Sequence, residues 1–479
     1  MKTFEKEIKK GVFWSLFLAI GRQGLTLLST IVLAHLLSPE EYGLIGMIAI
    51  FIALSETLMD AGMGGALIKK RDVTKYDYGT LFSYNLIVSL FLYVVVFFSA
   101  TEVASFYEKP ILVPVLRLYA LVFLVEALGL AARVKMLREL QFKKFSLINV
   151  CANLVGLVVA IVLAILNFGV YSLVWQLLAS SIVFTLCIIV VSHFEFYFCF
   201  RKNTFYELFG FGFNTTFGNM IKGFSENIIT NIVAKMCPLK ETGYYNQSFK
   251  MQNVVASMQN IIIDNALFPI LSKESDADIH KHSIALNNLA AFCVVSLYLL
   301  LIINVKLEVI ILLGKQWMKM QDILPLLYVV GLLQSLTAFY RNTFKALAET
   351  RFIVYIELLS SCCLFILFYT SKLGIYAIIY TFIIYAIVRW QLCLCFLSKN
   401  GCYKTIIVSL IKTISLPLLS YFLICLFIIT DNEIIDGLIK SALFMSSIII
   451  GGEIFKNSAY IILKHQLLKK EFKEDICRD

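Results

Sequence analysis

Residues 31–70 read IVLAHLLSPEEYGLIGMIAIFIALSETLMDAGMGGALIKK. An apolar run ends at Leu37, and the polar corner Ser38-Pro39-Glu40-Glu41 follows. Tyr42-Gly43 opens a second apolar run, too long and too apolar for a soluble core helix and suited to a bilayer span. Its far end carries Glu56 and Asp60, then Gly62, Gly64 and Gly65, then Lys69-Lys70-Arg71. The stretch therefore reads as a helical hairpin, with a tight turn on one side of a membrane and a basic patch on the other.

The hairpin recurs 200 positions later. Ile31 to Gly43 read IVLAHLLSPEEYG, and Asn231 to Gly243 read NIVAKMCPLKETG, so that Ala34 falls on Ala234, Glu41 on Glu241 and Gly43 on Gly243. Ala66-Leu67 falls on Ala266-Leu267, and Arg22 on Lys222. A second echo links Val113-Pro114-Val115-Leu116 to Leu324-Pro325-Leu326-Leu327. The chain reads as a duplicated membrane protein with two parallel halves, an architecture typical of transporters. The halves are 1–205 and 206–400, and 401–479 adds two further spans and a basic tail.

Composition supports this. Hydrophobic residues make up 59% of the 479 and charged residues 15%, against roughly a quarter in a soluble domain. Mean hydropathy is +0.83. In a soluble chain a net charge of +10 would suggest nucleic acid, but in a polytopic one Lys and Arg collect in cytoplasmic loops, and no nucleic-acid partner is expected. The 12 cysteines are scattered through apolar runs with no paired CxxC, so they read as small buried apolar side chains. No metal and no cofactor is expected. The N-terminus reads as a retained first span, because it lacks a small-residue cleavage site and runs on to Leu37.

Apolar segments of spanning length fall near 12–37, 41–66, 79–99, 113–133, 145–166, 169–192, 208–236, 243–271, 283–304, 322–345, 353–371, 374–396, 405–429 and 436–462, about fourteen in all. Asn167-Phe168-Gly169 and Lys372-Leu373-Gly374 are tight turns at matching places in the two halves. With the N-terminus inside, cytoplasmic segments hold 26 Lys and Arg and the opposite side holds 6, which predicts both termini in the cytoplasm. External loops are short, the longest being about 305–321, and leave no room for a catalytic or nucleotide-binding domain. There is no GxxxxGK[ST] phosphate loop.

Charges inside a bilayer are expensive and usually face a cavity or a partner. Arg22 lies roughly 15 Å inside the first span, Lys222 at the equivalent depth of the seventh, and Lys250 a couple of turns into the eighth. Span seven also carries Asn219, Glu226 and Asn227, with Lys222 and Glu226 four apart on one face. Span eight carries Gln252, Asn253 and Asp264 among other amides. A lipid-facing helix would not tolerate this load, so these helices are expected to line a wet cavity. Amides there suit sugar hydroxyls and cations suit phosphate or acidic sugars; interhelical hydrogen bonding is the plain alternative. Glu56 and Asp60, four apart near the inner end of span two, either relay protons or pair with nearby cations.

Taken together, Gly11-Val12-Phe13-Trp14-Ser15, Leu36 to Gly43, Asp60 to Ile68, Arg138 to Lys144, Thr242-Gly243-Tyr244-Tyr245-Asn246, Phe268 to Ser272 and Leu313-Gly314-Lys315-Gln316-Trp317 make the chain resemble the Wzx-type polysaccharide flippases of the multidrug/oligosaccharidyl-lipid/polysaccharide exporter superfamily. The resemblance implies an all-α fold in which two six-helix bundles form a V around a central cavity, with two extra helices. It implies a non-enzymatic carrier in the bacterial inner membrane. That carrier moves undecaprenyl-diphosphate-linked oligosaccharide for O-antigen, capsule or exopolysaccharide, driven by a proton or sodium and working beside a polysaccharide polymerase. On it, Arg22, Lys222 and Lys250, with Asn219, Asn227, Gln252 and Asn253, are the substrate candidates. Glu56, Asp60, Glu226 and Asp264 are the ion-coupling candidates. The alternative is a drug/cation antiporter of the related multidrug branch, which would depend on cavity carboxylates more than on cations.

Overall fold

The computed structural model describes residues 21–262, 276–397, 403–425 and 433–460, apart from Arg22, Arg71, Ala348, Thr350, Phe455, Lys456, Ser458 and Ala459. All regular structure among the described residues is helical. The chain runs through α1 (Gln23–Leu36), α2 (Pro39–Asp60), α3 (Met63–Lys69), α4 (Lys75–Tyr107), α5 (Leu112–Arg138), α6 (Phe142–Ile165), α7 (Val170–Ser192), α8 (Lys202–Met236) and α9 (Leu239–Ile262). It continues through α10 (Asp276–Ile303), α11 (Met320–Ala346), α12 (Arg351–Ser361), α13 (Ile375–Leu397), α14 (Tyr403–Cys425) and α15 (Glu433–Ile454). Among the described residues, ten stretches are long and apolar enough to cross a membrane. Helix also occupies the other four places where a span is expected, in α1, α2, α8 and α9.

Local chemistry sets the ends. Pro39 opens α2, where its missing N–H costs nothing, and the Glu41 carboxylate accepts the Ser38 N–H (2.6 Å) and hydroxyl (3.1 Å), a capping box. Asp77 does the same for α4, accepting the Thr74 N–H at 2.8 Å and hydroxyl at 2.9 Å. The turn between α6 and α7 has Asn167 and Gly169 at positive φ, and that before α13 has Gly374 at φ 98°, as the tight-turn readings require. Two segments differ from the continuous spans read in the sequence, and one from an expected loop. The segment 41–66 is broken at Ala61 and Gly62, both at positive φ, so α3 is a separate short helix. The segment 353–371 leaves α-helical geometry at Cys362–Ile366. The expected loop 305–321 is instead mostly helical turns, with Leu313 and Trp317 fully buried.

The described residues divide into two compact units, Met1–Gln247 with Leu367–Ile378, and Ser248–Ile366 with Ile379–Asp479. In the first unit α5 carries the core, burying Val115, Leu116, Phe123 and Ala127 in one cluster and Ala131, Ala132 and Met136 in a second. Small residues bring its helices close. A Cβ on Gly129 would lie 2.9 Å from the Thr185 hydroxyl of α7, and one on Gly156 of α6 would lie 2.6 Å from the Gln176 carbonyl oxygen of α7. In the second unit, α10, α14 and α15 pack through Phe292, Val295, Leu416 and Phe444, and α11, α12 and α13 through Phe344, Ile356, Cys393 and Leu394.

The two hairpin corners of the repeat meet inside the first unit. A Cβ on Gly43 would lie 2.5 Å from the Leu239 carbonyl oxygen, and one on Gly243 would run into the Pro39 carbonyl. Pro39 and Leu239 are themselves 200 apart, so each glycine packs on the repeat equivalent of its own helix start. The Asn246 amide donates to the Tyr42 carbonyl at 2.8 Å and closes the crossing.

Candidate functional site

Helix α8 carries the polar load of the first unit. Lys222 Nζ lies 3.8 Å from Glu226 Oε1, their side chains 31% and 15% exposed. The Asn227 amide donates to the Gly223 carbonyl (2.8 Å) and the Asn231 amide to the Asn227 carbonyl (2.7 Å), each four residues back on the same helix. The Tyr107 hydroxyl, from the end of α4, donates to Asn231 Oδ1 at 2.7 Å. Phe51, Glu102, Tyr107 and Asn231 line a cavity of about 620 Å³ at this end of the unit. Bonds of this kind fold an amide back on its own helix and leave it close to accessible space.

In the second unit the same residue types face inward. Gln252 is buried, and its amide donates to Gln334 Oε1 of α11 at 3.2 Å. Ser335 places its hydroxyl 2.5 Å from Gln259 Oε1. Gly331 allows this approach, since a Cβ there would lie 2.6 Å from both the Gln252 amide nitrogen and the Tyr298 hydroxyl. Gln252 is thus a tie between α9 and α11. Asn253 is exposed and Lys250 half-buried.

The remaining sequence candidates are placed less fully. Arg22 and Asp264 lie outside the described residues. Glu56 and Asp60 sit on α2 and Asn219 on α8, with side chains outside the description. Lys222, Glu226 and Asn227 stand together in the first unit; Lys250, Gln252 and Asn253 belong to the second. Among the described residues, no three His, Cys, Asp or Glu side chains stand close enough to hold a metal.

Sequence reasoning missed a buried ion cluster in the second unit. Glu357 Oε1 accepts from Arg389 Nε (3.1 Å) and a terminal guanidinium nitrogen (2.7 Å), and Arg341 reaches the same oxygen at 3.5 Å. Glu357 and Arg389 are sealed from solvent. A signal was available: 353–371 and 374–396 each hold a single charge, of opposite sign. Glu308 was also missed. It precedes α11, accepts from the Tyr328 hydroxyl at 2.7 Å, and burial pushes its carboxyl up to about 7 although that hydrogen bond works the other way.

Residues 32–322 match the family described as "Polysaccharide biosynthesis protein". The chain is 27% identical over 349 residues to the lipopolysaccharide biosynthesis protein WzxC of Escherichia coli, covering 70% of this chain and 69% of the relative. It is 23% identical over 346 residues to the teichuronic acid biosynthesis protein TuaB of Bacillus subtilis, covering 70% of each. Its fold matches the lipid II flippase MurJ in an inward closed conformation, with a TM-score of 0.74 at 14% identity, over 92% of this chain and 98% of the other. The fold is therefore like that of the lipid II flippase MurJ, and the chain belongs to the polysaccharide biosynthesis protein family.

Proposed function

We propose that this chain carries polyprenyl-diphosphate-linked oligosaccharide repeat units across the bacterial plasma membrane by alternating access, for surface polysaccharide assembly. The observation that carries the reading is a polysaccharide-biosynthesis family match joined to a flippase-like fold over 92% of the chain. Both termini lie in the cytoplasm, on the strength of the 26 to 6 distribution of basic residues. The polar residues of α8 act on the substrate: Lys222, held loosely by Glu226, takes the diphosphate or an acidic sugar, and Asn219 and Asn227 take hydroxyls. Arg22, Lys250 and Asn253 contribute from the flanking spans, and Gln252 acts by holding α9 on α11. Glu56, Asp60, Glu226 and Asp264 are the carboxylates through which a proton or sodium drives the cycle. The repeat divides the chain at 205 and 400, and the substrate passes on to a polysaccharide polymerase. No catalytic step is assigned to the chain.

The test is a deletion strain in which lipid-linked repeat units are sorted by leaflet with a periplasm-restricted modifying enzyme. Accumulation on the cytoplasmic side with loss of surface glycan supports the reading. Normal leaflets and glycan with lowered drug tolerance would transfer the protein to the antiporter branch.

A further inference from the structure

The segment joining α7 to α8 is an extended strap, His193 to Arg201, reading HFEFYFCFR. Phenylalanine stands at every second position, 194, 196, 198 and 200, and the odd positions carry Glu195, Tyr197, Cys199 and Arg201. The alternation is that of a strand with one aromatic face. The strap is fastened to the first turns of α4. Ser83 donates to the Cys199 carbonyl at 3.3 Å and the Arg201 N–H donates to the Thr80 hydroxyl at 3.2 Å. Gly79 lets the backbones touch, since a Cβ there would meet the Tyr197 carbonyl oxygen at 2.9 Å. Phe196 and Phe198 pack at 5.1 and 5.4 Å on the buried ring of Phe82.

This fastening buries Phe194 and leaves the rest of the aromatic face largely uncovered. Phe198 is 76% exposed, and Phe196, Phe200, Tyr76 and Tyr206 are exposed beside it. So many adjoining rings are a patch that water penalises and the headgroup layer favours. Extended backbone does not occur in contact with hydrocarbon, which puts the strap at the boundary and not within the core. Two cations complete the surface. Arg201 lies 3.6 Å over the Tyr76 ring, and neither it nor Lys202 meets a carboxylate among the described residues. Lys75 is already engaged by Tyr197 (2.9 Å) and Glu195 (3.7 Å), and Lys70 by Glu207 (2.7 Å) and Asp77 (3.2 Å). The surface thus offers apolar rings beside two unpaired positive charges, and its complement is a lipid with an acyl chain below a negative headgroup.

We propose that the His193–Arg201 strap is an interfacial site for anionic phospholipid, with Phe196, Phe198 and Phe200 entering the acyl boundary and Arg201 and Lys202 holding the phosphate. It goes beyond the transport reading and needs only that the chain spans a membrane.

The test places the photoreactive residue benzoylphenylalanine at Phe198 in the full chain, with Phe98 of α4, 72% exposed, as the comparison position. In native membranes, irradiation at 198 should yield phospholipid adducts; predominant protein adducts would overturn the proposal and make the strap a docking site for a partner. In vesicles of phosphatidylethanolamine and phosphatidylglycerol, adducts at 198 should be enriched in phosphatidylglycerol relative to those at 98. Arg201→Gln and Lys202→Gln should each reduce that enrichment, by up to about fivefold for a cation at the surface. Equal headgroup composition at the two positions, or enrichment indifferent to both substitutions, would overturn it. Lys202→Gln alone, at an exposed side chain without an ion pair among the described residues, keeps the test available if Arg201→Gln fails to fold.

Discussion

Helices α8 and α9 are similarly rich in amides and charges, yet the molecule uses the two sets differently. On α8, Asn227 bonds to a carbonyl of its own helix, Asn231 does so while also accepting from Tyr107 of α4, and Lys222 and Glu226 stand at 3.8 Å with part of each side chain accessible. From α9, Gln252 and Gln259 reach across to Gln334 and Ser335 on α11, and they are buried. The same contrast holds for ion pairs, loose for Lys222–Glu226 and sealed for Glu357–Arg389. An amide that bonds its own backbone can turn to a ligand without cost to a neighbouring helix. One that bonds across helices can do so only if the helices part. Polarity within a span therefore points to a ligand only once the partner of each group is known.

The contrast fails or sharpens on five tests. The largest effect is expected of the three cations: Lys222→Ala of α8, combined with Arg22→Ala and Lys250→Ala, should reduce surface glycan to the level of a deletion strain while membrane abundance is kept. Unchanged glycan would remove the substrate role from these cations. In the second unit, Glu357→Leu takes the shared carboxylate from Arg389 and Arg341 and should cost about 3–5 kcal/mol in thermal unfolding of the solubilised protein. Adding Arg389→Met should recover part of that loss, because a buried pair contributes little beyond a well-packed apolar one, while Arg341 still lacks the carboxylate.

Glu308 predicts a pH dependence of the second unit. Its folded carboxyl lies at about 7, above the ordinary 4.5, so the folded state favours the protonated form. Its contribution is complete below pH 4.5 and is lost as pH rises through about 7. Melting temperature should fall across that window, and Glu308→Gln should flatten the fall. Gln252→Leu leaves Gln334 without this partner and should cost about 1–3 kcal/mol, with export per folded molecule unchanged. Asn227→Ala should move stability least, by about 1 kcal/mol or less, and yet lower export, because it removes only a bond within one helix. If Gln252→Leu impaired export and Asn227→Ala did not, the division between the two units would be reversed.

The hairpin corner was legible because its signals are local: apolar runs of spanning length, Pro39 at a helix start, Glu41 three residues after Ser38. The crossing of Gly43 with Leu239 and of Gly243 with Pro39 was half legible, since the repeat aligned the glycines but said nothing of their meeting. The break at Ala61-Gly62 was hidden because Asp60 and the glycines after it were read as the end of one span and not as a change of helix. Glu357 and Arg389 are 32 positions apart, and only the packing of α12 on α13 makes them a pair. The strap escaped notice because an alternating segment between two spans reads as a loop until its Cys199 carbonyl and Arg201 N–H are seen bonded to α4.

The most direct test of the central claim is leaflet-resolved transfer in vesicles holding the purified full chain and a labelled polyprenyl-diphosphate oligosaccharide. The account predicts that the label reaches the opposite leaflet with the native chain, and that Lys222→Ala lowers the rate while Gln252→Leu leaves it unchanged. Transfer no faster than in protein-free vesicles under every ion gradient applied, or transfer insensitive to Lys222→Ala, would contradict it.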